Sequence, residues 1–350
     1  MKKSIKALIF PVVVMVALLL LFVLKLKQDA KYEATYTDVF DTVTSITVYD
    51  KNQKEFHKKE EKLHNMLLKY HKEYDIYHSY KGLNNIKTIN DNAGIQPVKV
   101  DSEIIELLKY GKKLYKETKG QTNIAFGSVL KVWHKYRTEG IDYPEAARVP
   151  SMKELKEMAK YCDIEDVIID EKASTVYLKK KGMSLDVGSI GKGYAVEKLG
   201  QYAKKLGIER ALISVGGNVL AIGEKPDQSL WKIGIQNPDL DNEESFIKYV
   251  SVKDNCVVTS GDYQRYYTVK GKNYCHIVDP DTLMPSETIH SVTVITKKSG
   301  YADALSTGLF NMSYEEGKAL VETLPGVEAM WILKNNKIGY SSGFEQYISQ

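Results

Sequence analysis

The apolar positions of this chain change period several times. Residues 7–24 form an uncharged run of 18 residues dominated by Leu and Val. As a helix rising ~1.5 Å per residue, the run reaches roughly 27 Å, close to the hydrocarbon thickness of a bilayer. Residues 28–35 read as a short polar tether. From about Asp41 to Tyr49, Val43, Ser45, Thr47 and Tyr49 alternate with Thr44, Ile46 and Val48, the period of two that marks a strand. A long helix is predicted from about Gln53 to Tyr80. Phe56, Leu63, Leu67, Tyr70, Tyr74 and Tyr77 recur on it at three- and four-residue steps (or their sum) as its buried stripe.

After a turn cluster at Asn90–Gly94, helices are predicted near 101–118, 152–160, 192–206, 300–311 and 314–323. Strands are predicted near 165–179, 210–222, 231–236, 247–260 and 290–296. The elements interleave without the strict strand–helix alternation of a doubly wound parallel sheet. The fold class is therefore α+β, a single body over residues 36–350 behind an N-terminal transmembrane helix. No internal repeat or low-complexity tract interrupts it.

Composition sharpens this picture only at the N-terminus. Hydrophobic residues are 43% and charged residues 27%, which excludes a disordered chain. The net charge of +4 is not spread over the body. Lys2, Lys3, Lys6, Lys25 and Lys27 flank the apolar run, and without them 44 basic residues face 45 acidic ones. A near-neutral body without a basic face excludes nucleic acid as a partner. The run is longer than a signal-peptide core, and Lys25-Leu26-Lys27-Gln28 follows it in place of a small-residue cleavage site. An uncleaved, single-pass membrane anchor results, with the basic N-terminus cytoplasmic and the body on the extracytoplasmic side.

Cys162, Cys256 and Cys275 are widely spaced and odd in number, so neither a disulfide framework nor a zinc site is indicated. His57, His64, His71 and His78 recur every seven residues on the long helix. Neighbours two turns apart lie ~10 Å from each other, too far to share one ion. They read as a solvated helix face.

Four junctions carry candidate chemistry. Gly188, Gly191 and Gly193 surround Lys192 in Ser184–Tyr194, just ahead of a predicted helix. A tight strand-to-helix turn fits this pattern, and so does an anion cradle of backbone amides; the spacing is neither a P-loop nor GxGxxG. Gly216 and Gly217 interrupt a strand at Ile213–Val219, either as a bulge or as a ligand contact. His276 ends a strand ahead of the Asp279-Pro280 turn, where it suits a structural role or a general base. Asp303 and Thr307 share one helix face at i,i+4, as a helix-start acid and a back-bonded hydroxyl or as two oxygen ligands for a hard cation.

Taken in order, these segments resemble a known family. Phe40–Ile46, Gly120–Ile124, Asp186–Tyr194, Val215–Asn218, Thr259–Tyr263, His276–Pro280 and Ala302–Thr307 together resemble the FAD:protein FMN transferase (ApbE) family across roughly residues 35–345. The resemblance implies Mg2+-dependent transfer of FMN from FAD to a Thr or Ser hydroxyl of a target protein, with release of AMP. It also implies an exported or membrane-anchored enzyme. The implied targets are flavin-bearing subunits of Rnf- or Nqr-type redox complexes.

Carried onto this sequence, the family's metal ligands fall on Ser189, Asp303 and Thr307. Its FAD contacts fall on Phe40, Tyr77, Gln121, Thr122, Asn123, Asp186, Lys192 and the His276–Ile277 segment. Several positions depart from the family pattern. Phe40-Asp41 replaces Met-Gly, Asn123 replaces a common acid, Cys275 replaces Ser, and Ser306 stands where some members have a further acidic ligand. Asp279–Leu283 ends in Leu where the family has Gly.

Attack on the FMN phosphorus needs a base, charge neutralisation on the pyrophosphate and a held leaving group. His276 is assigned as the base, with Asp279 as the fallback. Lys192, Mg2+ and the loop amides are assigned to the pyrophosphate. An FAD pyrophosphatase releasing FMN and AMP, and a non-catalytic flavin-binding protein, are the competing readings.

Overall fold

The computed structural model describes residues 29–349. The predicted membrane-spanning helix at 7–24 lies outside them. Among the described residues no helix is long and apolar enough to cross a membrane.

The chain begins as a hairpin, β1 (Ala30–Val39) and β2 (Thr42–Asp50), pairing from Ala30↔Asp50 to Val39↔Thr42. Residues 30–35, predicted as part of a tether, are thus strand. Their polar alternation is that of an edge strand with one covered face, and pairing with β2 satisfies their backbone. The first helix, α1 (Gln53–Tyr74), starts at the side-chain cap of Asn52. It stops six residues before the predicted end. Asp75 Oδ1 accepts the amides of Tyr77 and His78, which turns the chain out of the helix. Tyr77, predicted on the buried stripe, is 54% exposed in consequence.

The next elements are α2 (Ile86–Asp91), β3 (Val98–Lys99), α3 (Ser102–Glu117), α4 (Gly127–Asp142) and α5 (Met152–Ala159). The strand predicted at 165–179 is a hairpin, β4 (Val167–Asp170) and β5 (Thr175–Leu178), turned at Ser174 with φ +53°. It forms a three-stranded sheet with β3. Then come α6 (Gly191–Lys205), β6 (Ala211–Val215) and β7 (Asn218–Ile222). Gly216 and Gly217 split β6 from β7 at φ +53° and +88°, the left-handed pair a two-residue hairpin turn requires.

The rest comprises β8 (Trp231–Gln236), β9 (Phe246–Val252), β10 (Cys256–Gly261), β11 (Tyr266–Val269), β12 (Lys272–Cys275), β13 (Ile289–Thr296), α7 (Ser299–Phe310), α8 (Tyr314–Val321), β14 (Glu328–Leu333) and β15 (Ile338–Tyr340). The predicted strand at 247–260 is two strands, broken at Asp254 with φ +48°. The main sheet runs β1-β2-β6-β7-β10-β13-β14-β15, every neighbouring pair antiparallel.

Both faces of this sheet are covered, so its central strands are apolar on both sides. Val258, Val292, Val294 and Trp331 point into the core under α1, α6 and α7. Val257, Ile295, Met330 and Ile332 point the other way, against Trp231, Ile233 and Val250 of the β8–β9 hairpin. A third cluster joins α4 and α5 to the β11–β12 hairpin through Trp133, Tyr136, Leu155, Tyr267 and Leu283. The α+β single body of the sequence reading is the observed architecture.

Candidate active site

A cavity of about 760 Å3 opens where the β1–β2 turn, the start of α6, one face of α4, the end of β12 and the start of α7 converge. Phe40, Tyr77, Gln121, Thr122, Asn123, Asp186, Ser189, Lys192, His276, Ile277, Asp303 and Thr307 all line it. Residues spread over nearly 270 positions of sequence therefore meet in one place.

The loop before α6 is assembled by long-range hydrogen bonds. Asn90 on α2 clamps Leu185 through both backbone groups, Nδ2 to the carbonyl at 3.0 Å and Oδ1 to the amide at 2.7 Å. Asp186 Oδ1 accepts the Gly188 amide, and the Gly193 amide donates to Asp303 Oδ2 at 2.7 Å. The amides of Ile190, Gly191 and Tyr194 are committed to carbonyls of the same turn. Of the amides predicted to cradle an anion, those of Ser189 and Lys192 have no partner among the described residues.

Asp303 is buried, and that burial pushes its carboxyl above the usual range, against the pull of Lys192 and the Gly193 amide. Its Oδ1 has Lys192 Nζ at 3.8 Å. A carboxylate one turn from Thr307, lining the same cavity as Ser189, offers with them the all-oxygen donor set of a hard divalent cation. Ser306 does not join them. Its hydroxyl is buried and donates to the Asp303 carbonyl.

Two predicted contacts turn inward. Thr122 donates its hydroxyl to the Ala304 carbonyl at 2.7 Å, tying the segment to α7. Asn123 spends its amide on Cys162 O and its Oδ1 on Ala125 N. Both side chains are thus held by hydrogen bonds within the protein. Gln121 Nε2 likewise donates to Asp281.

His276 is fixed by one carbonyl. Arg265 O accepts the His276 amide at 3.0 Å and lies 3.2 Å from Nδ1. A carbonyl only accepts, so Nδ1 carries the proton and Nε2 is left as a bare acceptor. Burial and the nearby Arg265, Arg137 and Lys192 charges push the imidazole down to about 3. It is neutral at physiological pH. Asp279 is instead the hub of the following turn, accepting from the Asp281 amide and the Thr282 hydroxyl. Leu283, standing where the family has Gly, adopts φ +62° with its side chain buried in the α4 cluster.

The predicted solvated histidine face holds at its two ends, where His57 and His78 are exposed, but its middle is covered by β1 and the turn that follows it. His64 stacks on Tyr36 at 3.8 Å, and His71 Nδ1 accepts the Phe40 amide at 3.1 Å. That bond holds a turn in which Phe40 and Asp41 both have left-handed φ, +55° and +51°. His71 lines the cavity. So do Phe126, Leu130, His134 and Arg137, a side of the site that sequence reading missed because α4 was not predicted. Its signal was present, since Val129, Trp133, Tyr136 and Gly140 keep a helical step.

The ApbE family profile matches residues 40–331. The chain belongs to the ApbE family. It is 34% identical over 272 residues to the FAD:protein FMN transferase of Treponema pallidum, covering 74% of this chain and 73% of that one. It is 33% identical over 258 residues to the enzyme of that name from Klebsiella pneumoniae, covering 73% and 77%. The crystal structure of the ApbE protein from Thermotoga maritima superposes with a TM-score of 0.80 at 30% identity, over 92% of this chain and all of that one. The Vibrio cholerae flavin transferase ApbE shares the fold, with a TM-score of 0.74 at 24% identity.

Proposed function

We infer that this ApbE-family chain is a protein flavinyltransferase, moving FMN from FAD to a hydroxyl of an acceptor protein. The observation that carries the reading is His276, a neutral imidazole whose Nδ1 proton is held by Arg265 O. Its free Nε2 belongs to the same cavity as Lys192 and Asp303. The acceptor Thr or Ser oxygen attacks the FMN phosphorus and its proton passes to Nε2. The phosphorus–oxygen bond to AMP breaks, and AMP leaves with the bonding pair. Lys192 and the free Ser189 and Lys192 amides offset charge on the pyrophosphate.

Asp303, Thr307 and Ser189 are the residues that would hold Mg2+, which supplies further charge neutralisation on the phosphate oxygens when bound. Phe40 and Tyr77 contact the flavin nucleotide. The backbone at Gln121–Asn123 and at Ile277, with Asp186, completes the FAD site.

The 18-residue apolar run with its flanking lysines supports a single-pass anchor, with the catalytic body on the extracytoplasmic side. That placement suits acceptors that are themselves membrane-bound redox subunits of the Rnf or Nqr type. The test is to mix the full chain with FAD, Mg2+ and a Thr-bearing acceptor domain and to look for flavin fluorescence on the acceptor in a denaturing gel. Covalent flavin that depends on Mg2+ supports the reading. FMN and AMP released with no labelled acceptor would instead make the chain an FAD pyrophosphatase.

A further inference from the structure

The β11–β12 hairpin leads directly into His276. Its register, Tyr266↔Cys275, Tyr267↔Tyr274 and Thr268↔Asn273, continues to Arg265 and His276, where the His276 amide donates to Arg265 O at 3.0 Å. Hydrogen-bonded pairs alternate along an antiparallel ladder. Tyr274 therefore bonds to Tyr267, whereas Asn273 and Cys275 turn their N–H and C=O groups away from β11. The hairpin is a sheet of two strands, and among the described residues these outward groups of β12 have no hydrogen-bond partner.

The chain returns toward this edge and then leaves it. After the Asp279–Met284 turn it runs back antiparallel, with Val278 bridging Pro285. Thr288 O then accepts the Lys334 amide, and β13 departs into the main sheet beside β14. A second cavity of about 500 Å3 lies here, lined by Asn273 and Cys275 of β12 and by Ser286 and Glu287 of the departing segment. Tyr263 lines both this cavity and the catalytic one, so the two adjoin. Asp262 in its wall is already neutralised, by His290 Nδ1 at 3.3 Å and by Lys334. Asp239 and Asp241, exposed on the connection between β8 and β9, line it too and form no ion pair among the described residues.

We propose that the free edge of β12 is the docking strand for the acceptor polypeptide, which adds to it as an extended segment and so brings its Thr or Ser hydroxyl to His276. This rests on the transferase reading above. A protein flavinyltransferase has to admit a main chain as well as a nucleotide, and unpaired edge groups recognise main chain. Because β12 runs into His276, a segment laid along it is guided to the base. Only every second residue of that segment turns its amide and carbonyl toward β12. Asp239 and Asp241 favour a basic residue on the segment at some distance from its hydroxyl.

The experiment uses the full chain in detergent micelles with Mg2+ and saturating FAD. Its acceptors are a Thr-bearing domain and a short linear peptide spanning the Thr that becomes labelled. N-methylation is scanned along the peptide. Methylation of alternate residues is expected to raise the peptide KM by about fivefold or more, the cost of a lost hydrogen bond, with the intervening residues within about twofold. The affinity for FAD is expected to stay unchanged throughout. A Lys tail on one terminus should lower KM about threefold relative to a Glu tail, and Asp239→Asn with Asp241→Asn should remove that difference. These substitutions lie on the exposed surface, and an unchanged affinity for FAD shows that the variant is folded. A methylation profile without the period of two, a tail preference that is absent or survives the double substitution, or a peptide that stays unlabelled while the domain is labelled overturns the docking strand. An unsubstituted chain that labels neither acceptor overturns the transferase reading as well.

Discussion

The amide of Gly193 donates to Asp303 Oδ2 at 2.7 Å across 110 positions of sequence, and the two backbones approach so closely that no side chain fits between them. A methyl group at 193 would stand 2.4 Å from both Asp303 Cβ and the Ser299 carbonyl. The start of α6 and the first turn of α7 are therefore one rigid unit, and it carries Lys192 and Asp303.

Gly193→Ala is expected to destabilise the protein by about 1–3 kcal/mol, as overpacking against fixed backbone does. Transfer should fall with it, since Asp303 must move. Gly191→Ala is the control, because its methyl group would meet only Tyr74 and Val187 side chains at 3.5 and 3.6 Å. Urea unfolding and the gel-fluorescence transfer rate check both; equal effects of the two substitutions would contradict the rigid-unit account.

Asp303→Asn keeps the shape of the side chain and removes its charge. The transfer rate should drop by about 10²–10³-fold, the usual cost of losing an electrostatic partner in a preorganised site. Rates measured across a Mg2+ titration check this, and excess Mg2+ should not restore the variant to the unsubstituted rate.

The pH profile distinguishes His276 from an ordinary histidine. With its imidazole pushed down to about 3 by burial and neighbouring cations, the base is already free throughout the neutral and mildly acidic range. The kcat/KM profile should therefore show no loss attributable to a group titrating near 6.5 as pH falls from 8 to 5. His276→Ala should abolish transfer at every pH in that range. A clear acid limb centred near 6.5 would show that His276 is exposed to solvent or is not the base.

Glu73, a buried carboxyl of α1, makes stability depend on pH. Burial pushes its carboxyl up to about 7, against the pull of Lys69 and with Asp101 and Glu103 raising it further. The folded state then binds a proton that the unfolded chain releases near 4.5, so stability declines as pH rises through this window and stays lower above 7. Glu73→Gln resembles the protonated form at all pH values. Its melting temperature should exceed that of the unsubstituted chain by on the order of 2–4 °C at pH 8 and by little at pH 5. Calorimetry at the two pH values is the check.

Where periodicity is strong, the chain could be read directly. The alternation at 41–49, the stripe of α1 as far as Tyr74 and the apolar helix around Asp303 all appear as predicted. Endings were less legible, because they depend on single hydrogen bonds. Asp75 ends α1 by capturing two amides, and Ser174, Asp254 and the Gly216-Gly217 pair each turn one predicted strand into two. The polar segment 30–35 looked like a tether because an edge strand's identity lies in its partner. With β1 missing from that reading, the histidines it covers looked solvated.

What the sequence indicated by itself was a set of short motifs whose residues the fold brings to one cavity, because each motif is local in composition. It also determined that the positive charge belongs to the flanks of the apolar run rather than to the body. What each of those residues does there was decided only by the tertiary structure. Thr122 and Asn123 turn inward, Arg265 O sets the proton of His276, and α4 supplies a wall that no motif announced. Proton position and free hydrogen-bonding capacity belong to pairs of residues, and here many of the deciding partners are far apart in the chain.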